Sequence, residues 1–280
     1  MLTKALIATL SIVAAASGSE PAPPPGGPTV PQVKNSSIQA DLAVVAQGRI
    51  LFSHHSVGRN VLDGMGRVAA EAGAASPRLV PLAEAASVPG PALIDASGGR
   101  NGDPVSKIEF FEAILRGQPG LKPDVAFMKF CYVDFEPRTD VEALFARYQR
   151  AIETLRREHP GIRFAHVTAP LKSRPTGLKA SLQRLMGREV WEDAANARRW
   201  EFNQKLLRAF PSDPVFDLAA IEATGPDGKP VTFELDGKRY PSMDPGLTDD
   251  GGHLNASGQR AAGAAAIRFL AAALAGRPTN

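Results

Sequence analysis

The chain has 280 residues and an apolar fraction of 44%, enough for one large domain or two small ones with an ordinary buried core. Its 32 Lys and Arg stand against 29 Asp and Glu and are scattered. No run of five or six like charges occurs, so the net +3 describes a mildly basic solvated surface and gives nucleic-acid binding no support. Cys131 is the single cysteine, so the chain has no internal disulfide and relies on its core.

The first residues read as an export signal. Lys4 gives a positive start, residues 5–16 are mostly apolar, and Ala14-Ala15-Ala16 with Ser17-Gly18-Ser19 suit a signal peptidase. Such a stretch is too short to span a bilayer, and no cysteine follows it for lipid attachment. A signal peptide is therefore expected over 1–19, a periplasmic or secreted location, and no membrane span after cleavage. Pro21 to Pro28, with Pro31 beyond, predict a solvated Pro/Gly-rich tether over 20–37. A single folded domain is expected over 38–280.

From there the segments alternate. Ile50 to Ser53 is a short apolar run, followed by a helical pattern from Arg59 to Ala72. Arg78 to Leu82 predicts a second strand, and Pro81 assigns it to a sheet edge. Asp95 to Pro104 reads as a loop that ends in an N-cap, Asp103, with Pro104 at the first helical position. Ile108, Phe111, Ile114 and Leu115 form the stripe of that helix. Asp124 to Phe130 predicts a central buried strand, and Val141, Leu144, Tyr148, Ile152 and Leu155 recur at helical spacing until Pro160-Gly161. A strand over 162–167, a helix over 190–209, a strand over 214–218 and a closing helix over 256–275 complete the order.

This alternation predicts an α/β fold, with a parallel central sheet and helices on both faces. In such sheets ligands bind at the carboxyl ends of strands. Ser56, the Cys131–Asp134 segment and the Asp250–His253 segment all fall at such ends. Residues 225–249 break the pattern. They contain a hairpin signal over Phe233–Tyr240 around Asp236-Gly237. Two readings are open: an insertion that leans over the site and shapes its pocket, or a plain surface hairpin.

Ser56 stands where the first strand ends and a helix begins. Amides at a helix start favour negative charge, so this hydroxyl is placed to become an alkoxide and its own N–H to bind an oxyanion. A serine needs a base, and His253 is the candidate. Asp250, three residues earlier, can reach Nδ1 of that ring and leave Nε2 for Ser56. A lone serine or a lone D-x-x-H would mean little; their conjunction on this topology points to acyl transfer.

On these residues the chain resembles the SGNH (GDSL-like) hydrolases over about residues 46 to 275, as a divergent bacterial branch. Ile50 to Gly58 is similar to that superfamily's first block, with His54-His55 where Gly-Asp is usual. Asp250-Gly251-Gly252-His253-Leu254-Asn255-Ala256-Ser257-Gly258 closely matches its last block. The resemblance implies a three-layer flavodoxin-like fold and a serine esterase, with Ser56 as nucleophile, His253 as base and Asp250 orienting it. It further implies an oxyanion hole from the amides of Ser56 and Gly102, with Gly99 in reserve. The third block usually ends G-x-N-D; here it reads Cys131-Tyr132-Val133-Asp134, so Val133 replaces the donor asparagine. Either Asn101 or Asn60 replaces that donor, or activity is reduced.

The expected substrate is an acetyl or short acyl ester, on a small molecule or a glycan, and the protein is expected to be monomeric. Two alternatives stand beside hydrolysis: an O-acetyltransferase using the same triad, and a catalytically silent glycan-binding module. His55, Asn60, Arg100, Tyr132 and Asp134 are further candidates to contact substrate. His54 and His55 point to opposite faces of a strand and do not share a metal; no metal and no cofactor are expected. Cys131 and His166 read as structural, His159 as a helix C-terminal residue, and Arg198 and Arg199 as a solvated helix face.

Overall fold

Ser37 caps α1 (Ile38–Val45) by accepting from the Ala40 amide, and the chain then enters β1 (Arg49–His54). The computed structural model describes residues 37–118 and 120–276, so the expected signal peptide and all but the last residue of the expected tether lie outside the described residues. After β1 come α2 (Val57–Glu71), β2 (Leu79–Pro81), α3 (Leu82–Ala85), β3 (Ala92–Ser97), α4 (Pro104–Gly117) and β4 (Val125–Met128). A 3-10 turn at Tyr132–Asp134 leads to α5 (Val141–Glu158), β5 (Arg163–Phe164), β6 (His166–Val167), α6 (Leu178–Leu185) and α7 (Trp191–Ala209). The remainder is β7 (Val215–Phe216), α8 (Leu218–Glu222), the hairpin β8 (Thr232–Leu235) and β9 (Lys238–Pro241), and α9 (Ala256–Ala275).

The sheet order is β2-β3-β1-β4-β5, with every pairing parallel. Ala165 donates to the Ala126 carbonyl, and β6 then pairs in parallel with β7, so the strand over 163–167 passes from one partner to the next. Alternation along the strands builds the layers. Ile50 and Phe52 of β1, with Val125 and Phe127 of β4, face a core shared with α2 and α9. Leu51, Ala126 and Met128 face the opposite core, shared with α4, α5 and α7. This is a three-layer α/β fold with a central parallel sheet between helices.

β2 occupies the edge that Pro81 demanded. One strand was not foreseen: β3, whose second half the sequence reading assigned to a loop from Asp95. An aspartate inside Ala92-Leu93-Ile94-Asp95-Ala96-Ser97 interrupts the apolar pattern, and only the fold supplies its partners. His54 Nε2 lies 2.9 Å from its Oδ1 and Arg59 Nη1 3.1 Å from its Oδ2. A second correction concerns Arg199, which is fully buried on α7 and not on a solvated face. The hairpin is antiparallel, as Asp236-Gly237 predicts, and its Phe233 and Tyr240 cluster with Ala197 and Trp200 of α7.

The chain leaves β1 for β2 and β3 on one side and returns to β4 on the other. β1 is therefore the strand at which the direction reverses, and its carboxyl end is where sheets of this kind bind ligands. Ser56 sits there. The helices behind it pack unusually close. A Cβ on Gly64 would come within 1.9 Å of the Gln259 carbonyl oxygen, and one on Gly263 within 2.2 Å of the Gly64 carbonyl carbon. Gly64 and Gly263 are each the eighth residue of their helix. Backbone-to-backbone contact at matching depth brings the segments just before α2 and α9 side by side, and those segments carry Ser56 and His253.

Candidate active site

Ser56 connects β1 to α2 with φ 38° and ψ −93°, a conformation L-residues rarely hold. It occupies the N-cap position, yet its side chain makes no capping bond. The Oγ is thus turned away from the helix amides. It lies 3.1 Å from His253 Nε2. Strain of this kind costs on the order of 1–3 kcal/mol and persists only where the surroundings enforce it. Here Val57 and Gly58 are buried, and a Cβ on Gly58 would meet the His54 side chain at 2.5 Å.

His253 Nδ1 lies 2.6 Å from Asp250 Oδ2. The other carboxylate oxygen, Oδ1, accepts from the amides of His253 at 2.7 Å and Gly252 at 2.9 Å, and from the Thr248 hydroxyl at 3.3 Å. The bond from His253, backed by these amides, holds the Asp250 carboxyl well below the usual carboxylate range. Asp250 therefore stays ionised across ordinary pH. Gly251, with φ 84°, permits the tight turn that returns the chain to its own carboxylate. Asn60, one turn into α2, accepts from the Leu254 amide at 3.2 Å and fastens this loop to the helix that Ser56 begins.

Tyr132 closes another side. Its hydroxyl lies 3.4 Å from His253 Nε2 and 3.5 Å from Nδ1, and the two rings meet edge to face at 5.6 Å. Buried Arg199 fixes that turn by donating from Nε and Nη2 to the Tyr132 carbonyl, at 3.0 and 2.9 Å. A Cβ on Gly252 would strike the Tyr132 ring at 2.8 Å, so Gly252 is needed for the contact.

The remaining candidates divide. His55 is half-buried and its Nε2 lies 2.7 Å from the Gly98 carbonyl, which pins the loop after β3. His54 is buried, and burial holds its imidazole below the ordinary value against the pull of Asp95. Gly102 does not present a free amide: its N–H donates to Asp134 Oδ1 at 2.9 Å. Asn101 spends its side-chain oxygen on Lys107 Nζ at 2.9 Å. Asp134 is buried rather than open to substrate. It accepts from Lys107 Nζ at 2.6 Å and from the Cys131 amide at 2.6 Å, and so ties the turn after β4 to the loop before α4. Arg100 is exposed and pairs with Asp103 at 2.5 Å. Cys131 is a free, buried thiol.

Sequence reasoning missed Thr248, Lys107 and Arg199. Thr248 had a signal, since a hydroxyl two residues before a D-x-x-H can cap its turn. Lys107 and Arg199 had none, because the partners that link each to the turn at Tyr132–Asp134, the Asp134 carboxylate and the Tyr132 carbonyl, are distant in sequence.

The arrangement offers a hydroxyl, an imidazole and a carboxylate in one hydrogen-bonded line. A scan against protein-family models finds no match, and neither does a search of curated proteins. Solved structures do match. A Streptococcus pneumonia protein named for platelet activating factor is similar at TM-score 0.50 and 14% identity, over 83% of this chain and 91% of that one. A GDSL-like lipase from Parabacteroides merdae matches at TM-score 0.47 and 12% identity, over 81% and 96%. The periplasmic domain of the Salmonella ser. Paratyphi A lipopolysaccharide acetyltransferase matches at 0.44 and 11%, over 80% and 85%. At these identities the likeness shows the fold alone, a three-layer α/β arrangement around a central parallel sheet.

Proposed function

We propose that this protein is an exported serine esterase of the SGNH type, cleaving acetyl or short acyl esters through an acyl-enzyme on Ser56. One observation carries the reading: Ser56 Oγ, His253 and Asp250 stand in hydrogen-bonded sequence at 3.1 and 2.6 Å, with the serine strained and free of its helix. In this mechanism Ser56 Oγ attacks the ester carbonyl while His253 Nε2 takes its proton. His253 returns that proton to the leaving alcohol. Water, deprotonated by the same nitrogen, then releases the acyl group. Asp250 keeps the ring in its tautomer and balances the imidazolium. The Ser56 amide, at the start of α2, faces the developing oxyanion.

The His253 and Asp250 side chains are 44% and 56% exposed, which suits an ester carried on a bulky glycan. The export signal expected from the sequence at 1–19 accords with such a substrate. A fluorophosphonate tests the proposal: the adduct is expected on Ser56 and is lost in His253→Ala. Absence of a Ser56 adduct in the folded wild type refutes it. Adding an oligosaccharide acceptor then separates hydrolysis from acyl transfer.

A specific observation favours a second reading, a silent glycan-binding module. The Gly102 amide is taken by Asp134, and Val133 offers no side-chain donor, so the oxyanion hole is poorer by at least one expected group. Losing one donor costs on the order of a hundredfold in rate. Turnover of p-nitrophenyl acetate no faster than in Ser56→Ala, with glycan binding kept, decides for this module.

A further inference from the structure

Between Lys172 and Arg188 the sequence holds five basic residues, Lys172, Arg174, Lys179, Arg184 and Arg188, and no acidic one. The same stretch contains α6, which faces water with its apolar side. Leu178, Leu182 and Leu185 follow one helical stripe and are 91%, 56% and 85% exposed. Met186, directly after the helix, and Trp191, at the start of α7, are also exposed, at 53% and 51%. Among the described residues the other exposed large hydrophobics, Val44, Leu79, Val105 and Val133, are scattered, and none exceeds 41%.

The orientation is enforced from beneath. Ala180 is the buried residue of the helix. Arg184 donates to Asp193 at 2.8 Å and to the Pro175 carbonyl at 3.0 Å, and Arg174 donates to the same Asp193 at 2.8 Å. These bonds use the basic residues on the inner side and leave Lys179 and Arg188 exposed beside the leucines, with Glu189 following. An exposed apolar helical stripe flanked by cations is the pattern of a surface that enters the headgroup region of an anionic bilayer. It is too short to cross one, and among the described residues no helix is long and apolar enough to do so.

The segment that leads into α6 is tied to the loop of the triad. Ser173 donates to the Gly251 carbonyl at 3.0 Å, in the loop that carries Asp250 and His253. Leu178 follows five residues later, so it lies within about 18 Å of that bond. We propose that α6, with Met186 and Trp191, docks this protein on an anionic lipid surface through Leu178, Leu182 and Leu185, with Lys179 and Arg188 supplying the charge complement.

Vesicle co-sedimentation of the purified protein tests this without any call on activity. Binding is expected to vesicles containing phosphatidylglycerol and not to pure phosphatidylcholine. The double variant Leu182→Glu/Leu185→Glu is expected to bind at least about tenfold more weakly, with unchanged melting temperature and unchanged p-nitrophenyl acetate turnover. Lys179→Gln and Arg188→Gln each weaken binding by roughly fivefold at low salt. Vesicle binding that is absent in the wild type, or undiminished in the Leu182→Glu/Leu185→Glu protein, overturns the proposal. So does a dimer in light scattering that the same double variant dissociates, since the patch would then belong to a second copy. An inactive but vesicle-binding protein would refute the esterase reading and leave this one standing.

Discussion

Removing the Asp134 carboxylate is the sharpest test of how the site is held. Asp134 is 3% exposed and Lys107 2% exposed, and the carboxylate accepts from Lys107, Gly102 and Cys131. In Asp134→Ala the ammonium of Lys107 keeps only Asn101 as a partner on that side, and two backbone N–H groups lose theirs. Breaking a buried ion pair from one end costs about 3–5 kcal/mol. Each orphaned amide adds about 1 kcal/mol or more unless water reaches it. A total near 5 kcal/mol corresponds to a fall of roughly 10–20 °C in melting temperature for a domain of this size. Lys107→Met in the Asp134→Ala background removes the stranded cation and is expected to recover about half of that loss. Thermal unfolding of the wild type, both single variants and the double closes the cycle. A single Asp134→Ala variant melting within about 2 °C of wild type, or a double variant showing no recovery, refutes the reasoning.

The strain at Ser56 predicts that Ser56→Gly is about 1 kcal/mol more stable than Ser56→Ala while both are inactive, because glycine accepts φ 38° freely; urea titrations of the pair check it. Asp250→Asn is expected to lower kcat by about 10²–10³, less than the roughly 10⁴ seen where the triad carboxylate is buried, since water can stand in for an exposed group; steady-state kinetics of the folded variant read it. Gly263→Ala forces apart two helices that touch through backbone, costs about 3 kcal/mol or more, and lowers kcat together with stability by lengthening the reach from His253 to Ser56. Burial pushes the Glu222 carboxyl up from 4.5 to about 8, so the folded state keeps a proton that the unfolded state releases. Its contribution is present below pH 4.5 and is lost as pH rises toward 8, at most about 1.4 kcal/mol per pH unit, and Glu222→Gln should flatten that decline in melts between pH 6.5 and 8.

Much of the architecture was legible because it rests on local pattern. The closing helix over 256–275 was read to the residue, and the strands around Ile50, Val125 and Val215 announced themselves by apolar runs between turn signals. β3 was not legible. A strand holding Asp95 makes sense only once His54 and Arg59 arrive from the neighbouring strand and helix. Arg199 misled for a related reason, since a run of Arg198-Arg199 on a helix looks solvated until the distant Tyr132 carbonyl, with Glu192 of the same helix, takes one of them into the core. The fate of the Gly102 amide depended on Asp134, thirty-odd residues away, and no local rule could assign it.

By itself the sequence determined most of the longer strands and helices, the α/β class that their alternation implies, and the short-range coupling of Asp250 to His253, because each depends on neighbours within a turn or two. The tertiary structure alone decided that His253 Nε2 comes 3.1 Å from Ser56 Oγ, that Asp134 locks a loop rather than meets substrate, and that the leucines of α6 are left facing water. Those outcomes depend on which distant surfaces meet, and two glycines that let α2 and α9 touch backbone to backbone have no meaning until both helices are in place.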